Sequence, residues 1–408
     1  MTNSILMAHD EDAVTAVEGG ELTAGLTWLL AAVAGLGVAA LYYTQPMLAV
    51  MAADLRVAPA ALGAVPMLTQ LGYAAGILFL APLGDRIDRR RIILGKTAVL
   101  VVTLGVAALA QGLATLLVSS FVLGVAATLA QDVVSSAATL APDKSRGRAV
   151  GSVMTGLLLG ILLSRVVSGA VTQSLGWRAM LGLAAAGMAV ALGLVWRSLP
   201  SLPVTTRLPY GELLGSLGGL WKRHAALRRA AWAQGLLAVG FSAFWSTLAL
   251  MLSGETFRLG SAAAGAFGLA GAVGALAAPL AGRLADKRGP GPVTRVTAAL
   301  AVVSFAVMFG ASWLEPRAQL ALMALAVVGF DLGVQATLIG HQTIIYGLDA
   351  EARSRLNAVL IAAMFAGMAL GAGLGGVLLL AAGWKGVMAL ATLSSSAAFA
   401  LRLRAPGY

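Results

Sequence analysis

Twelve runs of predominantly apolar residues, each long enough to cross a bilayer, leave this chain of 408 residues little choice of fold. They lie near 25–52, 61–83, 92–113, 115–141, 148–174, 177–196, 230–253, 261–284, 292–313, 318–346, 355–382 and 384–403. The whole chain is 59% hydrophobic and 11% charged, with a mean hydropathy of +0.88, more apolar surface than a soluble domain of this length buries. The expected fold is an all-α membrane protein of twelve transmembrane helices. Abundant Ala and Gly suit helices that approach closely in lipid. Residues 1–23 carry Asp10, Glu11, Asp12, Glu18 and Glu21 and no Lys or Arg, unlike the basic start of a signal peptide. They read as a disordered tail, and the first apolar run as a retained helix.

The 28 Lys and Arg fix the orientation. With a cytoplasmic N-terminus, 22 fall in cytoplasmic loops or the C-terminal tail, five of them (Arg86, Arg89, Arg90, Arg91 and Lys96) assigned to the loop between runs 2 and 3. Arg56, Arg178, Arg258, Arg317 and Lys385 fall on the opposite face, and Arg165 remains inside run 5. Both termini are therefore expected in the cytoplasm of a bacterial cell, with the chain in its inner membrane. The net charge of +11 is topological, and no nucleic-acid partner is expected.

The chain also repeats itself. Arg148 precedes Trp177 by 29 residues, as Arg355 precedes Trp384, and Gly176-Trp177-Arg178 matches Gly383-Trp384-Lys385. Arg56 to Asp85 is 29 residues and Arg258 to Asp286 is 28. Two parallel six-helix bundles follow, 24–196 and 230–403, around a central cavity. The stretch 197–229, with Pro200, Pro203 and Pro209, reads as a cytoplasmic linker containing an amphipathic helix, and 404–408 as a cytoplasmic tail. Repeated halves around a midplane site are a common transporter design.

Two loops carry a family likeness. Ala81-Pro82-Leu83-Gly84-Asp85-Arg86 runs into Asp88-Arg89-Arg90-Arg91, and its second copy is Gly282-Arg283-Leu284-Ala285-Asp286-Lys287-Arg288-Gly289. Together with Tyr43-Thr44-Gln45-Pro46, Gln70-Leu71-Gly72-Tyr73, Asp331-Leu332-Gly333-Val334-Gln335 and Arg353-Ser354-Arg355, they resemble the major facilitator superfamily, in its twelve-helix bacterial proton-coupled drug and sugar efflux branch. The first loop departs from the family pattern, with Ala81 and Asp88 where glycines are usual. Run 5 lacks the Gly-Pro pair of proton antiporters.

The resemblance implies a gate at the basic loops, with Asp85 holding the ends of helices 2 and 11 together near a helix N-terminus, where an anion is favoured. Arg86, Arg89, Arg90, Arg283 and Asp286 belong to the same gate; plain positive-inside topology accounts for part of this charge. The resemblance also implies a cavity lined by helices 1, 4, 7 and 10. Candidate substrate contacts are Tyr42, Tyr43, Gln45, Gln70, Tyr73, Gln131, Phe241, Trp245, Gln335, Gln342 and Phe365, with Met364 beside the last; packing is the plainer alternative for most.

Asp132, Arg165 and Asp331 are read as the charged groups well inside helices, where a charge is costly unless it faces a cavity or a partner. Helix rise places Arg165 and Asp331 within about 6 Å in depth and Asp132 about 12 Å nearer the cytoplasm. Asp331 is thus the favoured partner of Arg165, across the two halves. Asp132, Asp331, Arg165 and His341 are the proton-coupling candidates; static ion pairing, or a hydrogen-bonded histidine, is the alternative for each. Small residues at four-residue spacing, Gly156, Gly160 and Ser164 in run 5, and Gly367, Gly371 and Gly375 in run 11, mark close helix packing, and the halves are expected to meet along these two helices.

Cysteine is absent, and neither a phosphate-binding loop nor a zinc motif appears, so no cofactor or metal is expected and the chain is not read as an enzyme. The expectation is a monomeric secondary transporter that exchanges protons for small amphiphilic molecules. An uptake symporter on the same fold is the alternative, and a non-transporting membrane sensor or scaffold the alternative of another class.

Overall fold

The computed structural model describes residues 22–142, 144–202, 204 and 209–404; the side chains of Asp85, 275–282 and Asp286 lie outside that description. The expected tails, 1–23 and 404–408, fall almost wholly outside it. The first half holds α1 (Ala24–Ala39), α2 (Leu48–Leu55), α3 (Ala64–Phe79), α4 (Arg89–Ala108), α5 (Leu113–Ala127), α6 (Leu129–Leu140), α7 (Arg146–Leu175) and α8 (Trp177–Ser198). The linker contributes α9 (Tyr210–Arg223). The second half holds α10 (Ala225–Ser253), α11 (Ser261–Arg288), α12 (Pro290–Ala311), α13 (Pro316–Tyr346) and α14 (Arg353–Leu403). Among the described residues there is no strand, and nine helical stretches are long and apolar enough to cross a membrane.

The expectation of twelve unbroken helices is corrected at two places. Run 1 breaks after α1 into turns and a short 3₁₀ segment, Gln45–Met47, before α2. Pro46 keeps this segment from closing back into an α-helix: it lacks an N–H and its ring crowds the carbonyl of Tyr42, one turn back. Run 4 breaks at Thr128, whose hydroxyl turns back to donate to the Val125 carbonyl at 2.7 Å, giving α5 and α6. Runs 11 and 12 are separate helices as expected, both within α14, parted at Gly383, whose non-helical backbone with a φ of 64° favours a residue without a side chain.

The backbone repeats along with the sequence. Arg56 and Arg258, the paired residues of the two halves, share an unusual left-handed φ of 54° and 52°. Gly176, the counterpart of Gly383, has a φ of 85° in the turn between α7 and α8.

Packing within each half uses the small-residue stripes. A Cβ on Gly160 would collide with the Gly35 carbonyl of α1, and one on Gly371 with the Val239 carbonyl of α10. These stripes join α7 to α1 and α14 to α10, helices of the same half, while the same two helices, α7 and α14, also carry the junction between the halves, as expected of them. The halves meet on other faces: α3 against α14, where Gly63 faces Gly376, and α7 against α11, where Gly169 faces Gly265. The Ser261 hydroxyl donates to the Gly169 carbonyl at 3.0 Å. These junctions lie toward the end of the bundle opposite the basic loops. Trp28, Leu109, Trp196 and Leu380 stay largely exposed, as side chains facing lipid would.

The linker helix α9 buries Leu213, Leu217 and Leu220, spaced four and three apart as one helical stripe. Tyr210 at its start donates its hydroxyl hydrogen to the Phe79 carbonyl at the end of α3, 2.6 Å away.

Candidate substrate and coupling site

The break in the first run is what builds the site. With α1 ended at Ala39, the chain turns through Tyr42, Tyr43, Thr44 and Gln45, and their side chains are buried. Gln45 Oε1 accepts a hydrogen bond from Arg165 Nε on α7 at 2.9 Å. The Arg165 guanidinium also lies over the Tyr42 ring at 4.7 Å and over the Trp245 ring of α10 at 4.2 Å. Each aromatic face attracts a desolvated cation. Arg165 is only 4% exposed, so most of its charge is met by two rings and one amide.

Asp331 on α13 is equally buried. It lies close enough to feel the Arg165 charge, yet the two make no contact within 4.0 Å, and Asp331 Oδ2 has no hydrogen-bond partner. The expected Arg165–Asp331 ion pair is thus replaced by Gln45 and aromatic contacts on the arginine side. The Trp245 indole spans the gap. Its face carries the guanidinium, and its Cζ2 edge and Asp331 Oδ2 would each lie 3.0 Å from a Cβ on Gly271. Trp245 Nε1 is directed at the Asp331 carboxylate, though the contact falls short of full hydrogen-bond geometry. Gln45, Pro46, Arg165, Trp245, Leu248, Ala249 and Ala264 enclose a crevice too narrow in this conformation to hold a ligand.

Behind Trp245 stands a rigid aromatic wall. Phe241 and Phe244 meet Phe330 edge to face, and Phe330 stacks on Phe305 at 4.7 Å. Across the halves Tyr73 stacks on Phe365 at 4.1 Å and accepts a hydrogen bond from Gln131 at 3.3 Å. Gln70 is fully buried with both side-chain polar atoms unpartnered. Gln335 is half-buried on α13. Gln342 donates to Asn357 at 3.0 Å, a bond between α13 and α14 rather than into the crevice. His341 is fully buried and pairs through Nδ1 with Gln234 at 3.0 Å; the sequence reading missed Gln234. Met364 is drawn to the same cluster, accepting from Gln234 at 3.8 Å.

Asp132 is not a lone carboxylate. Lys96 on α4 reaches it at 2.6 Å, and both side chains are almost fully buried. Lys96 had been assigned to the loop, because its neighbours in sequence are the loop arginines. In the fold it stands inside α4, on the face toward α6. Arg402, assigned to the tail, is likewise buried, and its Nε donates to Thr294 at 3.2 Å. The charge asymmetry between the two faces survives both changes.

The basic loop folds against the first half. A Cβ on Gly84 would lie 3.3 Å from Asp132 Oδ1 and 3.5 Å from Arg89 Nε, so glycine lets the loop close on that carboxylate. Arg89 donates to Thr139 on α6 at 3.3 Å, and Arg90 to the Trp196 carbonyl on α8 at 2.7 Å. Asp88, the departure from the family pattern, caps α4 by accepting from the Arg90 N–H at 2.9 Å. Its same oxygen accepts from the Leu202 N–H at 2.9 Å, tying the linker to the loop. Arg86 and Arg283 are exposed; the Asp85 and Asp286 side chains lie outside the described residues.

An all-helical membrane bundle of two repeated halves, with polar side chains from both converging at their junction, is the architecture of a secondary transporter. The chain belongs to the Major Facilitator Superfamily, whose family profile matches residues 27–346. It is similar to "Uncharacterized transporter YgaY" of Escherichia coli O157:H7, 37% identical over 367 residues, covering 90% of this chain and 92% of that one. It is also similar to "Probable transporter SCO4007" of Streptomyces coelicolor, 36% identical over 367 residues, covering 89% and 83%. Among solved structures, the nucleoside transporter NupG shares the fold at a TM-score of 0.74 and 14% identity, over 92% of this chain and 98% of that one. A bacterial homologue of the lysosomal transporter Spinster, inward-facing and unoccupied, matches at 0.69 and 15%, over 92% and 93%. The chain is therefore a multi-pass membrane transporter of this superfamily.

Proposed function

We propose that this chain is a proton-coupled antiporter that exports small amphiphilic molecules across a bacterial inner membrane by alternating access. Asp331 would carry the proton. The observation that carries this reading is a buried carboxylate, approached by the Trp245 indole but in no ion pair within 4.0 Å, beside a buried guanidinium at the junction of the halves. A carboxylate there is stable only if it gains a proton or a cation, and movement of the halves changes its access to water. Asp132 is the weaker candidate, because Lys96 already neutralises it. Export rather than uptake is supported by the resemblance of the loop and helix motifs to the efflux branch.

Twelve crossings fit the helical runs when α1 with α2, and α5 with α6, each count as one crossing and α14 counts as two. The basic face would be cytoplasmic, with both termini there; a reporter fused after Tyr408 and active only on the periplasmic side would reverse this orientation. The basic loop would act as the gate on that face, supported by its closure on Asp132 and its tie to the linker. The named junctions between the halves would then seal the outer side.

The test is a panel of amphiphiles in proteoliposomes with an imposed pH gradient. Substrate should drive proton movement in the wild type, and Asp331→Asn should bind substrate while moving no protons. Full coupling in Asp331→Asn would remove the proton role. Uptake along with protons, rather than exchange against them, would make the chain a symporter.

A further inference from the structure

Among the described residues, five of the fourteen buried side-chain polar atoms that complete no hydrogen bond gather at one place. Thr44 Oγ1 and Gln45 Nε2 from the turn after α1 and Arg165 Nη2 from α7 lack a partner, and Trp245 Nε1 from α10 and Asp331 Oδ2 from α13 meet only each other, short of full hydrogen-bond geometry. They come from both halves and belong to the one cluster described above. Leaving a buried polar group unmade costs about 1–3 kcal/mol each, so this concentration marks a place built to be filled.

The chemistry of the set is specific. Arg165 has its Nε fixed by Gln45 and its plane set against two rings, so the Nη2 edge is pre-oriented. Together with Gln45 Nε2 it offers adjacent N–H donors, the arrangement that suits a carboxylate. Asp331 Oδ2, across the Trp245 indole, offers an acceptor with negative charge. The two fixed charges sum to zero. A simple anion would leave the carboxylate stranded, and a simple cation would leave the guanidinium stranded, each at a high cost in a low-dielectric site. A neutral polyol would match neither charge. The crevice wall is apolar at Leu248, Ala249 and Ala264.

We propose that this cluster recognises a small apolar zwitterion, its carboxylate on Arg165 and Gln45 and its ammonium on Asp331, as in an apolar α-amino acid. The inference rests on the transport reading above and names its substrate class. It gives exchange a simple cause: the ammonium and a proton compete for one carboxylate.

The experiment is equilibrium binding to the purified full chain in detergent, by scintillation proximity with tritiated leucine, valine, phenylalanine and methionine. Competition by the methyl esters, which lack the carboxylate, and the N-acetyl derivatives, which lack the ammonium, should be at least tenfold weaker than by the parent amino acids. Arg165→Gln should erase the penalty for the ester, and Asp331→Asn the penalty for the N-acetyl derivative. If either variant fails to fold, the ligand series on the wild type still decides. Equal competition by the derivatives, or no binding by any of the four amino acids, overturns the proposal and leaves water as the filler of these groups. Proton-coupled movement of a non-zwitterionic amphiphile in liposomes would sink this inference while leaving the transport reading intact.

Discussion

Replacing Lys96 with methionine strands Asp132 inside the first half. The pair is made at 2.6 Å, with side-chain exposures of 8% and 7%, so water cannot re-solvate the carboxylate without opening the packing of α4 against α6. Removing one partner of a buried pair costs about 3–5 kcal/mol. Asp132 keeps a further interaction besides Lys96, so the lower end applies, about 3 kcal/mol. Adding Asp132→Leu removes the stranded charge and should recover at least half of that loss, the signature of direct coupling. The assay is thermal unfolding of purified protein in detergent, followed by the fraction remaining monodisperse, for the wild type, both single variants and the double. A Lys96→Met variant as stable as the wild type, or a double variant no better than the sum of the singles, would refute the reasoning.

Three further outcomes follow from named contacts. Gly160→Leu should cost about 1–3 kcal/mol or prevent folding, because its side chain would enter the α1 backbone at Gly35; unchanged thermal stability would show that α7 and α1 can separate freely. Asp88→Ala should lose about 1 kcal/mol from the α4 cap and release Leu202, so limited proteolysis should cut the linker faster than in the wild type; equal cleavage rates would show that the tie is idle. At the opposite end, the Arg178 hydrogen bond holds the exposed Asp54 carboxyl below its usual range, so the small stabilisation is present above the ordinary carboxylate pKa and fades as pH falls below about 4. Asp54→Asn should remove that acid-side dependence, and an unchanged profile would assign the acid sensitivity elsewhere.

The apolar runs, the basic loops and the Gly-Trp-basic repeats are local features, and they were legible because each is read along the chain. Hydrocarbon demands helices, and Lys and Arg mark the ends of them, so class, repeat and the position of the linker helix follow without any knowledge of contacts. Helix breaks were harder. Pro46 closes a short polar stretch, Tyr42 to Pro46, inside run 1 and Thr128 is a single hydroxyl in run 4, and hydropathy averaged over a spanning length carries no record of a bent backbone.

Pairing was decided only by the tertiary structure. Depth along a helix pointed to an Arg165–Asp331 ion pair, but depth says nothing of rotation about the helix axis. Rotation turns Arg165 onto Gln45, Tyr42 and Trp245. The same ignorance of facing hid Lys96, whose sequence neighbours are loop arginines while its side chain turns inward to Asp132. The glycine stripes marked the right helices for the junction but not the partner of each face: α1 and α10 took the stripes, while Gly169 on α7 and Gly376 on α14 meet the other half. Composition and periodicity determined that this chain crosses a membrane as two related bundles. The azimuth of each helix, set by packing between elements far apart in sequence, decided which charges are neutralised and which polar atoms are left to meet a ligand.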